Sequence, residues 1–174
     1  AADEVDASRR IIAVSRFSNP DSRAQFQSQG VETLAGDLAD RQFVASLPAA
    51  ANVFFLSGMK FGATGNEPLT WAMNVYLPGL IADRYRNSRI VALSTGNVYP
   101  FTSTDSRGPD ETAPVGPVGE YAQSCLGRER MFQYFSGLHG TPGVLVRLNY
   151  AIDLRYGVLL DIATKVQAGT PIDI

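Results

Sequence analysis

Arg89-Ile90-Val91-Ala92-Leu93-Ser94-Thr95-Gly96-Asn97-Val98-Tyr99 decides how this chain folds. Its first half is a continuous apolar run rich in strand-forming residues, the mark of a strand buried on both faces. It ends in Ser, Thr, Gly and Asn, which make turns and present hydroxyl and amide groups. Buried strands of this kind belong to parallel sheets, and open parallel sheets bind their ligands at the carboxyl ends of the strands. The tail of this stretch is therefore also the first place to look for chemistry.

The same reading extends in both directions. Ile11–Ser15, Val31–Ala35, Asn52–Leu56 and Gly143–Leu148 are apolar strand candidates. Helical stretches separate them: about 20–29, opened by Asn19-Pro20-Asp21, about 37–45, about 68–86 with a kink expected at Pro78, about 120–137, and about 156–168. A Pro/Gly-rich loop fills 99–119. Five apolar strands alternating with helices predict an α/β fold, a doubly wound parallel sheet covered on both faces. The chain opens in what reads as the tail of a helix and closes on Gly169-Thr170-Pro171-Ile172-Asp173-Ile174, which reads as the start of a strand. The expected domain is thus residues 1–168, incomplete at both ends, with 169–174 beginning a further lobe.

Composition narrows the function. The chain has 174 residues, 45% of them hydrophobic, and a net charge of −2, which gives no basic surplus for nucleic acid. No apolar run is long enough to span a bilayer. The opening residues have neither the charged nor the apolar region of a signal peptide. Cys125 is the single cysteine and His139 the single histidine, which disfavours a His/Cys metal site and fits a reducing, cytoplasmic setting.

Each strand end offers candidates. Ser15-Arg16 follows the first strand; an acidic residue there would grip a ribose 2′-hydroxyl, whereas an Arg suits a 2′-phosphate. The same Arg is equally an ordinary solvated side chain. Asp37 in Gly36-Asp37-Leu38-Ala39-Asp40 can accept a hydrogen bond from an adenine amino group, or cap a helix. Leu56-Ser57-Gly58 ends the third strand. The glycines that follow, at 58, 62 and 65, do not have the G-x-G-x-x-G spacing of a phosphate loop. Thr95 and Asn97 can hydrogen-bond a substrate oxygen, or simply make a polar turn. Tyr121 and Cys125 lie four apart on one helix face. A tyrosine there could act as a general acid or base if a nearby cation lowered its pKa, ordinarily about 10.

In order and spacing these segments resemble the extended short-chain dehydrogenase/reductases, the family of NAD(P)-dependent sugar-nucleotide epimerases and dehydratases. The resemblance covers nearly the whole chain. Gly36-Asp37-Leu38-Ala39-Asp40 is similar to the family's adenine-contacting G-D-x-x-D, and Phe54-Phe55-Leu56-Ser57-Gly58 to its V-x-H-L-A-A strand beside the nicotinamide ribose. Asn74 resembles its structural helix asparagine. Leu93-Ser94-Thr95-Gly96-Asn97-Val98-Tyr99 is similar to F-S-S-x-x-V-Y-G, Glu120-Tyr121-Ala122-Gln123-Ser124-Cys125 to Y-x-x-S-K, and Val146-Arg147-Leu148-Asn149-Tyr150 to L-R-x-x-N, with Asn149 one residue early. The family's glycine-rich loop and first strand would precede residue 1, and its substrate lobe would follow Ile174.

The resemblance implies a Rossmann-like fold. It implies NADP as cofactor, with NAD the second choice, held by Ser15, Arg16, Asp37, Leu38, Leu56, Ser57 and Gly58. It implies Thr95 and Tyr121 as the catalytic pair, and Asn97 and Asn149 toward a small-molecule substrate, a nucleotide sugar or related polyol. It also implies a homodimer through the 68–86 and 120–137 helices, which carry Trp71, Tyr76, Met131, Phe132 and Phe135. Neither nucleic acid nor membrane is an expected partner. One departure bears on mechanism. Cys125 stands where the family has the lysine that holds the nicotinamide ribose and lowers the tyrosine pKa, and a neutral thiol does neither. Arg128, seven residues from Tyr121, is two turns away on roughly the same face and is not expected to reach the same point. Two readings follow: an active oxidoreductase or epimerase, or a relative that binds NADP(H) as a sensor or regulator without turnover. A purely structural flavodoxin-like domain is the third.

Overall fold

Two parallel sheets stand in the computed structural model, which describes residues 9–60, 64–149 and 157–172. In the first, β1 (Ile12–Ser15) pairs with β2 (Glu32–Ala35), Val14 opposite Leu34 and Ser15 opposite Ala35. In the second, the order is β3 (Asn52–Phe55), β4 (Arg89–Thr95), β5 (Gly143–Leu148). Phe55 faces Ala92, and Thr95 faces Leu148. Every pairing is parallel, so within each sheet the carboxyl ends point one way. The strands expected from the apolar runs are all present, and the fold is Rossmann-like.

The helices α1 (Pro20–Ser28), α2 (Arg41–Ser46), α5 (Glu120–His139) and α6 (Val158–Ala168) connect or follow the strands. Asn19 caps α1 by accepting from the Asp21 amide, and Pro20 sits in the first turn, where its missing N–H costs nothing. The second helix starts later than the sequence suggests. Asp37 folds into a tight turn, its carboxylate accepting from the Ala39 amide and its carbonyl from the Asp40 amide. Asp40, not Asp37, is the cap, accepting from the Gln42 amide at 2.8 Å.

The long helix expected over 68–86 is one helical run with a defect. It comprises α3 (Glu67–Trp71), a π turn (Ala72–Tyr76) and α4 (Leu77–Arg84). The irregularity lies just before Pro78 rather than at it: the Leu77 amide reaches back five residues to the Ala72 carbonyl, and Pro78 has no amide to continue the ordinary ladder. The π turn matters because it carries Asn74 inward, fully buried.

The core lies between β3–β4–β5 and the helices α4 and α5. Leu77, Ile81, Ala82, Tyr85, Ile90, Ala92, Phe55 and Phe132 are its buried centre. Val14, Leu34, Leu38 and Phe43 pack against it from the β1–β2 side. The opposite sheet face still shows Phe54 and Leu56, each about two-thirds exposed at 68% and 66%. Helix α6 buries none of its residues among those described. Gly169, at φ 65°, ends it in a left-handed cap, and Thr170–Ile172 form no strand. Among the described residues, no helix is long and apolar enough to cross a membrane.

Candidate active site

The carboxyl end of β4 and the first turns of α5 face each other, and the candidate residues gather there. Thr95 is the last residue of β4 and caps the short 3₁₀ turn Gly96–Val98, its hydroxyl accepting from the Asn97 amide at 3.2 Å. Tyr121, half-buried in the first turn of α5, has Thr95 and Cys125 near enough for both to influence its hydroxyl. The pair expected from 26 residues apart in sequence is therefore brought together. Asn97 is exposed beside it, and Asn149 closes on the same turn: a Cβ placed on Gly96 would lie 3.3 Å from the Asn149 amide oxygen.

Cys125 is fully buried one turn further along α5. Burial pushes its thiol above the ordinary range, opposed chiefly by the charge of Arg128. Burial likewise pushes Tyr121 up to about 12, aided by Cys125 and opposed by Arg128 and Thr95. At neutral pH such a phenol keeps its proton and can donate it, but it is a poor base.

Arg128 is buried rather than turned to solvent. Helical side chains lean toward the N-terminus, and an arginine is long enough to exploit that direction. Its guanidinium turns back and inward, 8% exposed, where its charge reaches both Tyr121 and Cys125. Nη1 donates to the Leu93 carbonyl at 2.9 Å and Nη2 to Asn74 Oδ1 at 2.6 Å. Its face lies 5.9 Å from the Phe55 ring centre. Asn74 uses both ends of its amide. Oδ1 also accepts from the Met59 amide at 2.8 Å, while Nδ2 donates to the Met59 carbonyl at 3.0 Å and Ser124 Oγ at 2.9 Å. One buried side chain thereby ties the loop after β3 to α5.

A second buried network underpins β4 and β5. Glu129, wholly buried, receives Arg147 through two bonds, Nε to Oε1 at 2.9 Å and Nη2 to Oε2 at 2.8 Å. Ser94 donates to the same carboxylate at 2.6 Å, and Arg147 Nη1 donates to the Tyr99 hydroxyl at 2.8 Å. The Glu129 hydrogen bond holds Arg147 well above its ordinary pKa. This clamp fixes the strand residue before Thr95 and the segment after it. The sequence reading passed over Glu129, although Tyr121, Cys125 and Glu129 are spaced by fours along one helix face.

The other candidates occupy the neighbouring strand ends. Ser15 and Arg16 are exposed at the end of β1, where Ser15 Oγ accepts from the Phe17 amide and Phe17 itself turns at φ 48°. Asp37 is exposed after β2, and Leu38 is half-buried and packs against the core. Leu56 and Gly58 are exposed and Ser57 half-buried after β3. Among the described residues no cluster of His, Cys, Asp or Glu could hold a metal. Of the 169–174 segment expected to begin a further lobe, residues 173–174 lie outside the described residues, as does Tyr150.

No protein-family profile and no curated protein matches the sequence. Solved structures do match the fold. Pal from Bacillus thuringiensis superposes with a TM-score of 0.77 at 18% identity, over 96% of this chain and 58% of its own. UDP-glucuronic acid 4-epimerase from Bacillus cereus, in complex with NAD, gives 0.73 at 13% identity, over 97% and 58%. The dTDP-glucose 4,6-dehydratase DesIV from Streptomyces venezuelae, with NAD and TYD bound, gives 0.75 at 16%, over 92% and 53%. The chain thus spans a little over half the length of these proteins, and it has the Rossmann-like fold of the epimerase, dehydratase and short-chain dehydrogenase/reductase structures on which it superposes.

Proposed function

We propose that this chain is the dinucleotide-binding part of an NAD(P)-dependent epimerase, dehydratase or reductase of the extended short-chain dehydrogenase/reductase family, acting on a nucleotide sugar or related polyol. The observation that carries the reading is the meeting of Thr95 and Tyr121 at the carboxyl end of β4. The adenosine side fits a dinucleotide: Ser15, Arg16 and Asp37 are exposed at two adjacent strand ends, with no acidic residue at position 15 to repel a 2′-phosphate. Arg16 favours NADP over NAD. Leu56, Ser57 and Gly58 would border the nicotinamide ribose. The nicotinamide, when bound, supplies a hydride donor or acceptor. Thr95 would polarise the substrate oxygen, Tyr121 would hold or deliver its proton, and Asn97 and Asn149 would orient the substrate. A high Tyr121 pKa favours proton donation, hence reduction, over oxidation.

Titration with NADPH and NADH tests the cofactor: NADPH should bind clearly more tightly, and binding of neither sinks the reading. For turnover, Thr95→Ala and Tyr121→Phe should each lower the rate on a nucleotide sugar by two to four orders of magnitude, roughly the worth of a positioned acid–base group; unchanged rates overturn the assignment. Buried, neutral Cys125 favours a second reading, an NADP(H)-binding regulator without turnover. Cofactor binding without turnover, and a gain of activity in Cys125→Lys, would mark a lapsed enzyme. The proposal includes a homodimer through α3–α4 and α5, where Trp71 and Tyr76 are exposed while Phe132 is spent on the core. Sedimentation of the protein decides it.

A further inference from the structure

We infer that the cleft at the amino ends of β3 and β4 is an oxyanion site, which takes a phosphate group on the Arg84 guanidinium. It lies at the opposite end of these strands from Thr95, and it does not depend on the function proposed above.

The cleft, about 340 Å³, is bounded by residues 49–51, which lead into β3, and by Arg84, Tyr85, Asn87 and Ser88, which lead from α4 into β4. The seven residues of β4, Arg89–Thr95, separate it from the candidate active site by about 20 Å.

Three observations make it a site. The first is a fixed frame. Three carbonyls of the segment before β3 each accept from a different side chain at the end of α4: Leu47 from Arg84 Nη2, Pro48 from the Tyr85 hydroxyl at 3.1 Å, and Ala50 from the Ser88 hydroxyl at 2.6 Å. The two walls are thereby stitched together, with Tyr85 and Ser88 buried. Both hydroxyls have spent their proton, so Arg84 and Asn87 are the lining side chains with donors to spare.

The second is an uncompensated charge. The Arg84 guanidinium is half-buried, lies 5.1 Å from the Tyr85 ring centre and makes no ion pair among the described residues. Its Nε is buried without a hydrogen-bond partner. A cation taken part-way out of water without a counter-charge is costly. Asp83, beside it in sequence, is engaged instead by Arg86 at 3.9 Å and His139 at 3.5 Å. An arginine in a last helical turn ordinarily serves the helix's own final carbonyls. Arg84 reaches across to the Leu47 carbonyl, which holds its fork at the cleft.

The third is sign. Among the described residues no carboxylate lines the cleft, and Arg86 and Arg89 follow closely in Arg84-Tyr85-Arg86-Asn87-Ser88-Arg89. A planar guanidinium fork fits the oxygens of a phosphate group, two at a time.

Titration of the whole chain with sodium phosphate at constant ionic strength, followed by ¹H–¹⁵N NMR, tests the site. The Arg84 Nε–H and the amides of Ala49, Ala50 and Asn87 should shift along a saturable curve that sodium chloride does not reproduce. Arg84→Met should abolish that curve, whereas Arg16→Met, at the proposed dinucleotide site, should leave it unchanged. Glycerol phosphate separates the sources: a midpoint below that of inorganic phosphate means a phosphoester ligand, an equal or higher one the free ion. Shifts that fail to saturate, that chloride matches, that survive Arg84→Met or that vanish in Arg16→Met overturn the inference. Should Arg84→Met fail to fold, Asn87→Asp decides. It leaves Arg84 in place but sets a carboxylate on the rim, and should raise the midpoint about tenfold or more; an unmoved midpoint overturns the site.

Discussion

The two sheets of this molecule are built by different means. Around β3, β4, β5 and α5, polar side chains are buried and tied to partners far away in sequence: Asn74 to Met59, Ser124 and Arg128, and Glu129 to Ser94 and Arg147. Around β1 and β2 most polar contacts are local or exposed, apart from Arg23 and Gln27 of α1, which donate to the buried Thr33 hydroxyl. Asn19, Asp37 and Asp40 bond amides two residues on, Arg10 meets Glu32 on the surface, and α1 buries no residue. A reacting group must be held in one geometry, and a satisfied buried network does that because each member is costly to move. A surface that grips the outer end of a long ligand can be assembled from turns and caps.

The contrast can be broken first at Glu129. Glu129→Ala leaves Arg147 and Ser94 without their acceptor and should cost about 3 kcal/mol or more in urea unfolding, as for a broken buried pair. A loss no larger than that of an ordinary hydrogen bond, about 1 kcal/mol, would mean the clamp does not hold this half together.

Alkaline pH should come next. Burial raises Cys125 and Tyr121, the latter to about 12. The unfolded thiol and phenol release their protons first, from about pH 8.5 and 10 respectively. The folded groups hold theirs, so their contribution to stability is complete below that range and is lost as pH rises, for Tyr121 through about 12. Tyr85, raised by burial, adds in the same direction. Tyr121→Phe/Cys125→Ser should flatten the alkaline limb of a Tm–pH curve, leaving only the Tyr85 part; an unchanged limb would place the titration elsewhere.

In the other half the effects shrink. Asp40→Ala removes the cap of α2 and should cost about 1 kcal/mol. Arg10→Met removes an exposed pair and should leave Tm unchanged within error, since solvent screens such a pair. A large loss from Arg10→Met would show that β1–β2 depends on its surface charges and would dissolve the contrast.

Legibility followed the same division. The strands were readable because apolar β-branched runs form strands wherever they are buried, and Asn19-Pro20-Asp21 because capping is decided within three residues. Thr95 and Tyr121 stood out through polar residues placed where a strand ends or a helix begins. Asp40 replaced Asp37 as the cap because the chain between them closes into a turn before the helix starts. The π turn was not readable at all; Pro78 signalled a disturbance but not where it would fall.

The sequence by itself determined the α/β alternation, the parallel sheet, the strand-end location of the site and the absence of a lysine at position 125, because each is a property of nearby residues. Only the tertiary structure decided where the next cation along α5 goes. Whether Arg128 points to solvent or into the site depends on a gap at Gly58, an acceptor at Asn74 and a carbonyl at Leu93, which come from three other elements. A long side chain has many rotamers, and the one it adopts is fixed by packing that no local pattern of residues specifies.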